Sequence, residues 1–212
     1  MNIGVLGLQG AVSEHVEAFN RVLADRAGGG RAFALRSRDD LAKVDGLALP
    51  GGESTTISKL LRAFDLHDLL LGRILDEDFP VFGTCAGLIL LAREGDKQVE
   101  ETETKLLGVM DMATNRNAFG RQRESFEADL DVAGVGPFHA VFIRAPAILR
   151  TWGACKPLAT LPLAEALPGV GRAPIVAARE GNRWALAFHP ELTDDLRLHA
   201  AFVDTVESWK RR

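Results

Sequence analysis

Apolar residues in the first half of the chain come in short runs, separated by stretches in which they recur at helical spacing. Asn2–Gly7 is nearly continuous in apolar character and predicts a buried strand. Val12, Val16, Phe19 and Leu23 then repeat as one face of a helix does. Arg31–Arg36 is a weaker strand and Gly46–Pro50 another apolar one, and Thr55–Ala63 and Leu66–Asp76 read as helices. Phe79–Gly83 predicts a further strand, and Ala86–Ala92 the apolar start of a helix. Strands alternating with helices in this way are parallel βαβ units with helices on both faces of the sheet.

The second half changes character. Glu94–Lys105 is charged, mostly acidic and without periodicity, and is expected to be a solvated loop. Leu106–Met112, Ser125–Val132 and Ala140–Ile143 are strand-like, with polar and apolar residues alternating through Phe126-Glu127-Ala128-Asp129-Leu130. Ile175–Arg179 and Arg183–Phe188 flank Glu180-Gly181-Asn182, which reads as a hairpin turn. A last helix is expected from about Thr193, capped by that residue, with Asp194 and Asp195 in its first turn and Leu196, Ala200, Val203, Val206 and Trp209 as its apolar stripe. Gly28-Gly29-Gly30 marks a flexible turn. The expected fold is α/β in three layers, α/β/α, with a mainly parallel central sheet and a late antiparallel extension, and residues 1–212 as a single domain.

Composition narrows the function classes. With 212 residues, 47% hydrophobic and 25% charged, the chain can bury a substantial core, which excludes a disordered chain and a disulfide-stapled miniprotein. The net charge is −4, and the one basic run, Lys210-Arg211-Arg212, suits a helix C-terminus; no nucleic-acid partner is expected. The uncharged stretch between Asp131 and Arg144 is too short and too interrupted to span a bilayer, so no membrane partner is expected either. Met1–Leu8 lacks the basic start of an export signal. Cys85 and Cys155 are accordingly expected to be reduced thiols in a cytoplasmic protein. Gly4, Gly7 and Gly10 are misspaced for a dinucleotide fingerprint and read as a tight turn.

Three short segments carry candidate chemistry. Phe82-Gly83-Thr84-Cys85-Ala86-Gly87-Leu88 places Cys85 between a strand and a helix, with glycines two positions away on each side. This is the nucleophile-elbow pattern with sulfur in place of oxygen: small flanking residues permit the tight turn, the helix N-terminus favours a thiolate, and the Ala86 N–H can donate to an oxyanion. The pentapeptide alone fits a buried structural cysteine equally well. His189-Pro190-Glu191 follows an apolar strand, and in an extended segment His189 and Glu191 would share a side, so that Glu191 could orient a His189 base for Cys85. A histidine merely ending an edge strand is the alternative; a zinc deaminase also uses His-x-Glu, but no Pro-Cys-x-x-Cys accompanies it. Leu49-Pro50-Gly51-Gly52-Glu53-Ser54-Thr55-Thr56 offers backbone N–H groups and a capped helix start, a cradle for a polarised oxygen or an ordinary glycine turn. His15, His67, His139 and His199 lack an acidic neighbour in comparable register and are expected to be structural, as is Cys155. No metal cluster is expected.

Together these segments resemble the class I, triad-type glutamine amidotransferases, and within them the glutaminase subunits of pyridoxal 5′-phosphate synthases. The resemblance spans nearly the whole chain and includes Gly7–Val12, Arg116–Gln122, Ser125–Leu130, Phe142–Pro146 and His189–Thr193, whereas Arg150–Gly171 matches poorly. It implies a flavodoxin-like glutaminase fold, with Cys85 as nucleophile, His189 as base and Glu191 as orienting carboxylate. It further implies that Gly52, Glu53, Ser54, Arg116, Ile143 and Arg144 contact L-glutamine, and that the N–H groups of Gly52 and Ala86 hold the oxyanion. No cofactor is implied. The implied partner is a synthase subunit in a hetero-oligomeric complex, to which ammonia is channelled, with activity dependent on assembly and the Gln9-Gly10 turn facing the partner. A glutaminase serving a histidine, purine or anthranilate synthase, a cysteine peptidase of similar fold, and a docking module without catalysis are the alternatives.

Overall fold

A computed structural model describes residues 1–119, 125–163, 171 and 173–212. Part of the Arg116–Gln122 segment and part of Arg150–Gly171 lie outside the described residues. The first half alternates as its hydrophobic pattern requires: β1 (Asn2–Leu6), α1 (Val12–Ala24), β2 (Arg31–Leu35), α2 (Arg38–Leu41), β3 (Gly46–Leu49), α3 (Ser54–Ala63), α4 (His67–Glu77), β4 (Val81–Thr84) and α5 (Ala86–Leu91). After these come β5 (Ala92–Glu94), α6 (Lys97–Glu101), β6 (Met110–Asn115), β7 (Ser125–Val132), β8 (Gly136–Ile143), β9 (Ala147–Thr151), β10 (Lys156–Thr160), β11 (Ile175–Glu180), β12 (Arg183–Leu186), a 3-10 turn at Pro190–Leu192, and α7 (Arg197–Lys210).

The main sheet runs β2-β1-β3-β4-β12-β11-β9-β6-β5, with β10 pairing on β11. Its β2-to-β12 part is parallel throughout. The antiparallel extension enters through β11, β9 and β10. β7 and β8 form a separate hairpin whose buried Leu130 and Val132 alternate with exposed Glu127, Asp129 and Asp131. Side-chain alternation along β4 defines the two faces of the sheet. Phe82 packs against Phe19 of α1 and Phe202 of α7, while Gly83 points the other way into α5. Helices therefore cover both faces, as the sequence predicts. Among the described residues, no helix is long and apolar enough to cross a membrane.

Several sequence expectations need correction. Glu94–Lys105 is not a solvated loop: Asp96 caps α6 by accepting from the Gln98 and Val99 amides at 3.0 and 3.3 Å, and Val99 is buried. Five residues are too few to show a helical period, so only the cap could have signalled it. The last helix begins at Arg197 rather than Thr193, because Pro190–Leu192 forms a 3-10 turn and Thr193 is extended at φ −120° and ψ 160°. Its buried face consequently includes Leu198, His199 and Phe202 beside Val203 and Val206. The strand expected at Leu106–Met112 lies later, at Met110–Asn115, and β9 and β10 are additional. The Glu180-Gly181-Asn182 turn joins β11 to β12 with Gly181 at φ +57°.

Phe202 fixes α7 to the sheet. It is fully buried, with ring centroids 5.2 Å from Phe82 and 5.8 Å from Phe19. Phe202→Ala should lower the unfolding free energy by about 3–5 kcal/mol, measured by urea denaturation. A loss within experimental scatter would mean that α7 is peripheral to the folding unit.

Candidate active site

Strand register builds the site. Parallel pairing sets Leu49 of β3 opposite Gly83 of β4, and Thr84 of β4 opposite Leu186 of β12. The carboxyl ends of three neighbouring strands thus release their loops side by side, at the edge where open α/β sheets present ligand crevices. The loop after β3 carries Gly51–Ser54, β4 runs straight into Cys85, and the segment after β12 carries His189.

Cys85 has φ +49° and ψ −101°, a conformation strained for a non-glycine residue, and its amide donates to the Leu186 carbonyl at 2.8 Å. The turn is tight enough that a Cβ at Gly83 would stand 2.7 Å from the Gly87 carbonyl carbon, which is why small residues flank the cysteine. Cys85 Sγ lies 4.0 Å from the Ile143 carbonyl oxygen at the end of β8. The His189 amide donates to the Val141 carbonyl at 2.8 Å, so the hairpin β7–β8 also fixes the imidazole.

His189 and Glu191 meet, though not by extension of β12. The 3-10 turn starting at Pro190 folds Glu191 back, and Glu191 Oε1 lies 2.7 Å from His189 Nδ1. Pro190 occupies the first turn position, where its missing N–H costs nothing. Burial works against a charge on His189, yet hydrogen bonds to Cys85 and Glu191 and the Glu191 charge outweigh it and raise its pKa to about 10. As pH rises through neutrality the ring keeps its proton. Cys155, by contrast, is pushed up to about 12 by burial and by the Glu180 and Asp111 carboxylates, and lies away from these groups.

A cavity of about 430 Å³ opens over Cys85. Of the residues singled out from sequence, Gly52, Glu53, Ser54, Cys85, Arg116, Ile143, Arg144 and His189 line it. Glu191 sits behind His189 and Ala86 is buried beneath the elbow, so neither reaches the lining. Glu53 caps α3 by accepting from the Thr55 and Thr56 amides at 3.0 and 2.6 Å. Partial burial opposes ionisation of Glu53, but the Thr56 and Thr55 hydrogen bonds hold its pKa down to about 2. Arg116 donates to Glu53 Oε1 at 2.9 Å and to the Thr55 and Thr102 hydroxyls at 3.2 Å, while its amide donates to Asp96 at 2.7 Å. The α6 segment therefore buttresses Arg116. Ser54 Oγ is buried with no hydrogen-bond partner among the described residues. Arg144 stands at φ +42°. A Cβ on Gly51 would overlap the His189 ring, so the β3 loop can lie against the imidazole only as glycine.

Sequence reasoning gave Gln9 only a place in a partner-facing turn and not in the cavity, which it lines, its Oε1 accepting from the Glu53 amide at 2.9 Å. It also found no acidic neighbour in comparable register for the other four histidines, of which three meet a carboxylate by other routes. His67 lies 2.7 Å from Asp68, and His139 lies between Asp129 and Glu127 at 2.8 and 3.0 Å. Buried His15 lies 3.3 Å from Glu191 Oε2. This last contact joins the two ends of the chain, and no local spacing could signal it.

Comparison with known proteins agrees with this architecture. The family model of the SNO glutamine amidotransferases matches residues 5–208. Pyridoxal 5′-phosphate synthase subunit PdxT of Archaeoglobus fulgidus is 51% identical over 208 residues, covering 98% of this chain and 100% of that protein. The protein of the same name from Nocardia farcinica is 50% identical over 210 residues, covering 97% of this chain and 86% of its own. A crystal structure described as a glutamine amidotransferase superposes with a TM-score of 0.82 at 43% identity, over 97% of this chain and 98% of that one. The crystal structure of a glutamine amidotransferase from Thermotoga maritima, at 12% identity and a TM-score of 0.57 over 100% of this chain and 86% of that one, shares the fold alone. The elbow cysteine, the sheet order and a family match running through nearly all of the chain lead to one statement: this protein belongs to the SNO glutamine amidotransferase family.

Proposed function

We propose that this protein, acting as a single domain over residues 1–212, hydrolyses the side-chain amide of L-glutamine and passes the ammonia to a pyridoxal 5′-phosphate synthase subunit in a hetero-oligomeric complex. The observation that carries the reading is the strained Cys85 under the cavity, with an imidazole beside it whose far nitrogen is 2.7 Å from a buried carboxylate. The relatives named for a pyridoxal 5′-phosphate synthase subunit support the partner. The chain works in the cytoplasm in this reading, where both free thiols stay reduced.

Cys85 attacks the carboxamide carbon as a thiolate; the C–S bond forms and the carbonyl π electrons move to oxygen. The Gly52 and Ala86 N–H groups hold that oxyanion. On collapse the C–N bond breaks, and His189 gives its proton to the departing ammonia, leaving a glutamyl thioester. His189 then takes a proton from water as it attacks, and glutamate leaves with the sulfur regenerated. Glu191 keeps the imidazole oriented and supports its charge. Glu53, Ser54, Arg116, Ile143 and Arg144 hold the glutamine. Ser54 Oγ, buried and unpartnered, gains a partner when substrate fills the cavity, and Arg116 retains N–H donors beyond its three side-chain contacts for the α-carboxylate.

The Gly51–Gly52 peptide supplies a route for control by assembly. The Gly51 carbonyl accepts from the Ala11 amide at 3.0 Å, in the turn that follows Gln9-Gly10. A trans peptide directs the Gly52 N–H away from that bond, so rotation of this one unit exchanges an N–H for a carbonyl. A partner touching the Gln9-Gly10 turn biases the exchange.

Cys85→Ser should abolish glutamine hydrolysis while the assembled complex still makes product from ammonium salt; retained glutaminase activity, lost instead in Cys155→Ser, would reverse the assignment. Arg116→Ala should raise KM for glutamine by about tenfold or more, an effect much larger than its effect on folding followed by melting temperature, and an unaltered KM in a folded variant removes Arg116 from the site. The kcat of the chain saturated with synthase subunit should exceed that of the chain alone by on the order of 10²-fold, the scale of one oxyanion donor. Equal values, with Cys85 fully titratable, would refute control by assembly.

A further inference from the structure

Behind Glu191 lies a closed polar cluster that the reaction as described does not use. His15 of α1, Thr84 at the end of β4 and His199 of α7 are all fully buried. His15 Nε2 lies 3.0 Å from Thr84 Oγ1 and 3.3 Å from Glu191 Oε2, and His15 Nδ1 lies 3.1 Å from His199 Nε2. Glu191 divides its two oxygens accordingly. Oε1 meets His189 at 2.7 Å, whereas Oε2 lies 3.3 Å from His15 Nε2, at ion-pair distance, and has no hydrogen-bond partner among the described residues. Phe19 and Phe82 pack around the two histidine rings and exclude water from them.

The electrostatics of this cluster permit one arrangement of protons. An unprotonated His15 Nε2 would set its lone pair against the Glu191 carboxylate, so Nε2 carries the proton, donates it to Thr84 Oγ1 at 3.0 Å and keeps the positive end of its N–H 3.3 Å from Glu191 Oε2. Burial holds both His15 and His199 below the usual histidine range, His199 to about 3, so both rings are neutral. His15 Nδ1 is then an acceptor and His199 Nε2–H must donate to it. His199 Nδ1 is left as a bare acceptor, and it has no hydrogen-bond partner among the described residues. The titratable groups acting on His15 are Glu191, His189 and Glu14, with His199 at its other nitrogen.

We infer that His15 is a positioning residue for the glutaminase reaction: the Nε2–H that it anchors on Thr84 sets a positive dipole against the rear oxygen of Glu191, so that the carboxylate stays ionised with its front oxygen aimed at His189, and His199 locks the His15 tautomer that makes this possible. A buried carboxylate with no positive dipole beside its rear oxygen would gain by taking up a proton or turning away, and either change would remove the support from the His189 imidazolium. The inference rests on the hydrolytic reading above for its kinetic consequence, but its geometric content can be tested without it.

His15→Leu, Gln and Asn are made in the full chain and compared with wild type, each with its melting temperature. Rates of Cys85 alkylation by iodoacetamide against pH are measured on the chain alone, and glutamine hydrolysis on the chain saturated with synthase subunit. His15→Leu should move the lower limb of the alkylation profile to higher pH and reduce kcat about tenfold with KM unchanged, the scale of a one-unit shift in a pKa. Gln carries an amide N–H to the position of Nε2, whereas Asn ends at the position of Nδ1. His15→Gln should therefore stay close to wild type and His15→Asn should resemble His15→Leu. A folded His15→Leu with wild-type alkylation profile and kcat overturns the inference. If His15→Leu does not fold, equal alkylation profiles in Gln and Asn overturn it. A wild-type complex that does not hydrolyse glutamine refutes the hydrolytic reading instead, while the alkylation comparison still decides the role of His15.

Discussion

Parallel register at the centre of the sheet is the constraint on which the rest depends. Because β4 lies between β3 and β12 with Gly83 opposite Leu49 and Thr84 opposite Leu186, three loops from distant parts of the chain emerge side by side. One carries a glycine pair, one the cysteine and one the histidine. A shift of any strand by a single residue would turn its side chains to the other face and separate these loops. The apolar strands, buried on both sides, therefore determine the chemistry as much as the polar residues do.

The strain at Cys85 is a consequence of the same geometry. A positive φ on a non-glycine residue costs on the order of 1–3 kcal/mol, and it persists here because the Cys85 amide is tied to Leu186 and α5 packs against β4 through Gly83 and Gly87. The elbow lifts the sulfur out of the sheet edge and into the cavity. The antiparallel hairpin β7–β8 closes the other wall, receiving the His189 amide at Val141 and presenting the Ile143 carbonyl to the sulfur. The acidic segment after β5 completes the cavity by holding Arg116 through Asp96 and Thr102.

Much of this was legible in the sequence, because its signals are local. Periodicity marked β1, α1, β3 and β4, two glycines marked the elbow, and Gly181 marked the last hairpin. What was illegible depends on distance along the chain or on elements too short to show a period. Asp96 caps a helix of five residues, so the segment read as a loop. His189 and Glu191 were paired for the wrong reason: a 3-10 turn, not a strand, brings them together. His15 lies in α1 and meets Glu191 near the other end of the chain, a contact that only the packing of α1 against the 3-10 turn and α7 creates. Side chains that support a reactive group are commonly hidden from sequence reading in this way, because they are selected by tertiary contact and carry no spacing of their own.

The central claim is that Cys85 becomes covalently acylated by glutamine. The direct measurement is mass spectrometry of the peptides obtained after acid quenching the assembled complex during turnover with L-glutamine. The account predicts a mass increase equal to a glutamyl group on the peptide that contains Cys85, discharged when turnover is allowed to finish. A turning-over complex whose Cys85 peptide is never modified, or one whose adduct is carried by Cys155, would contradict it.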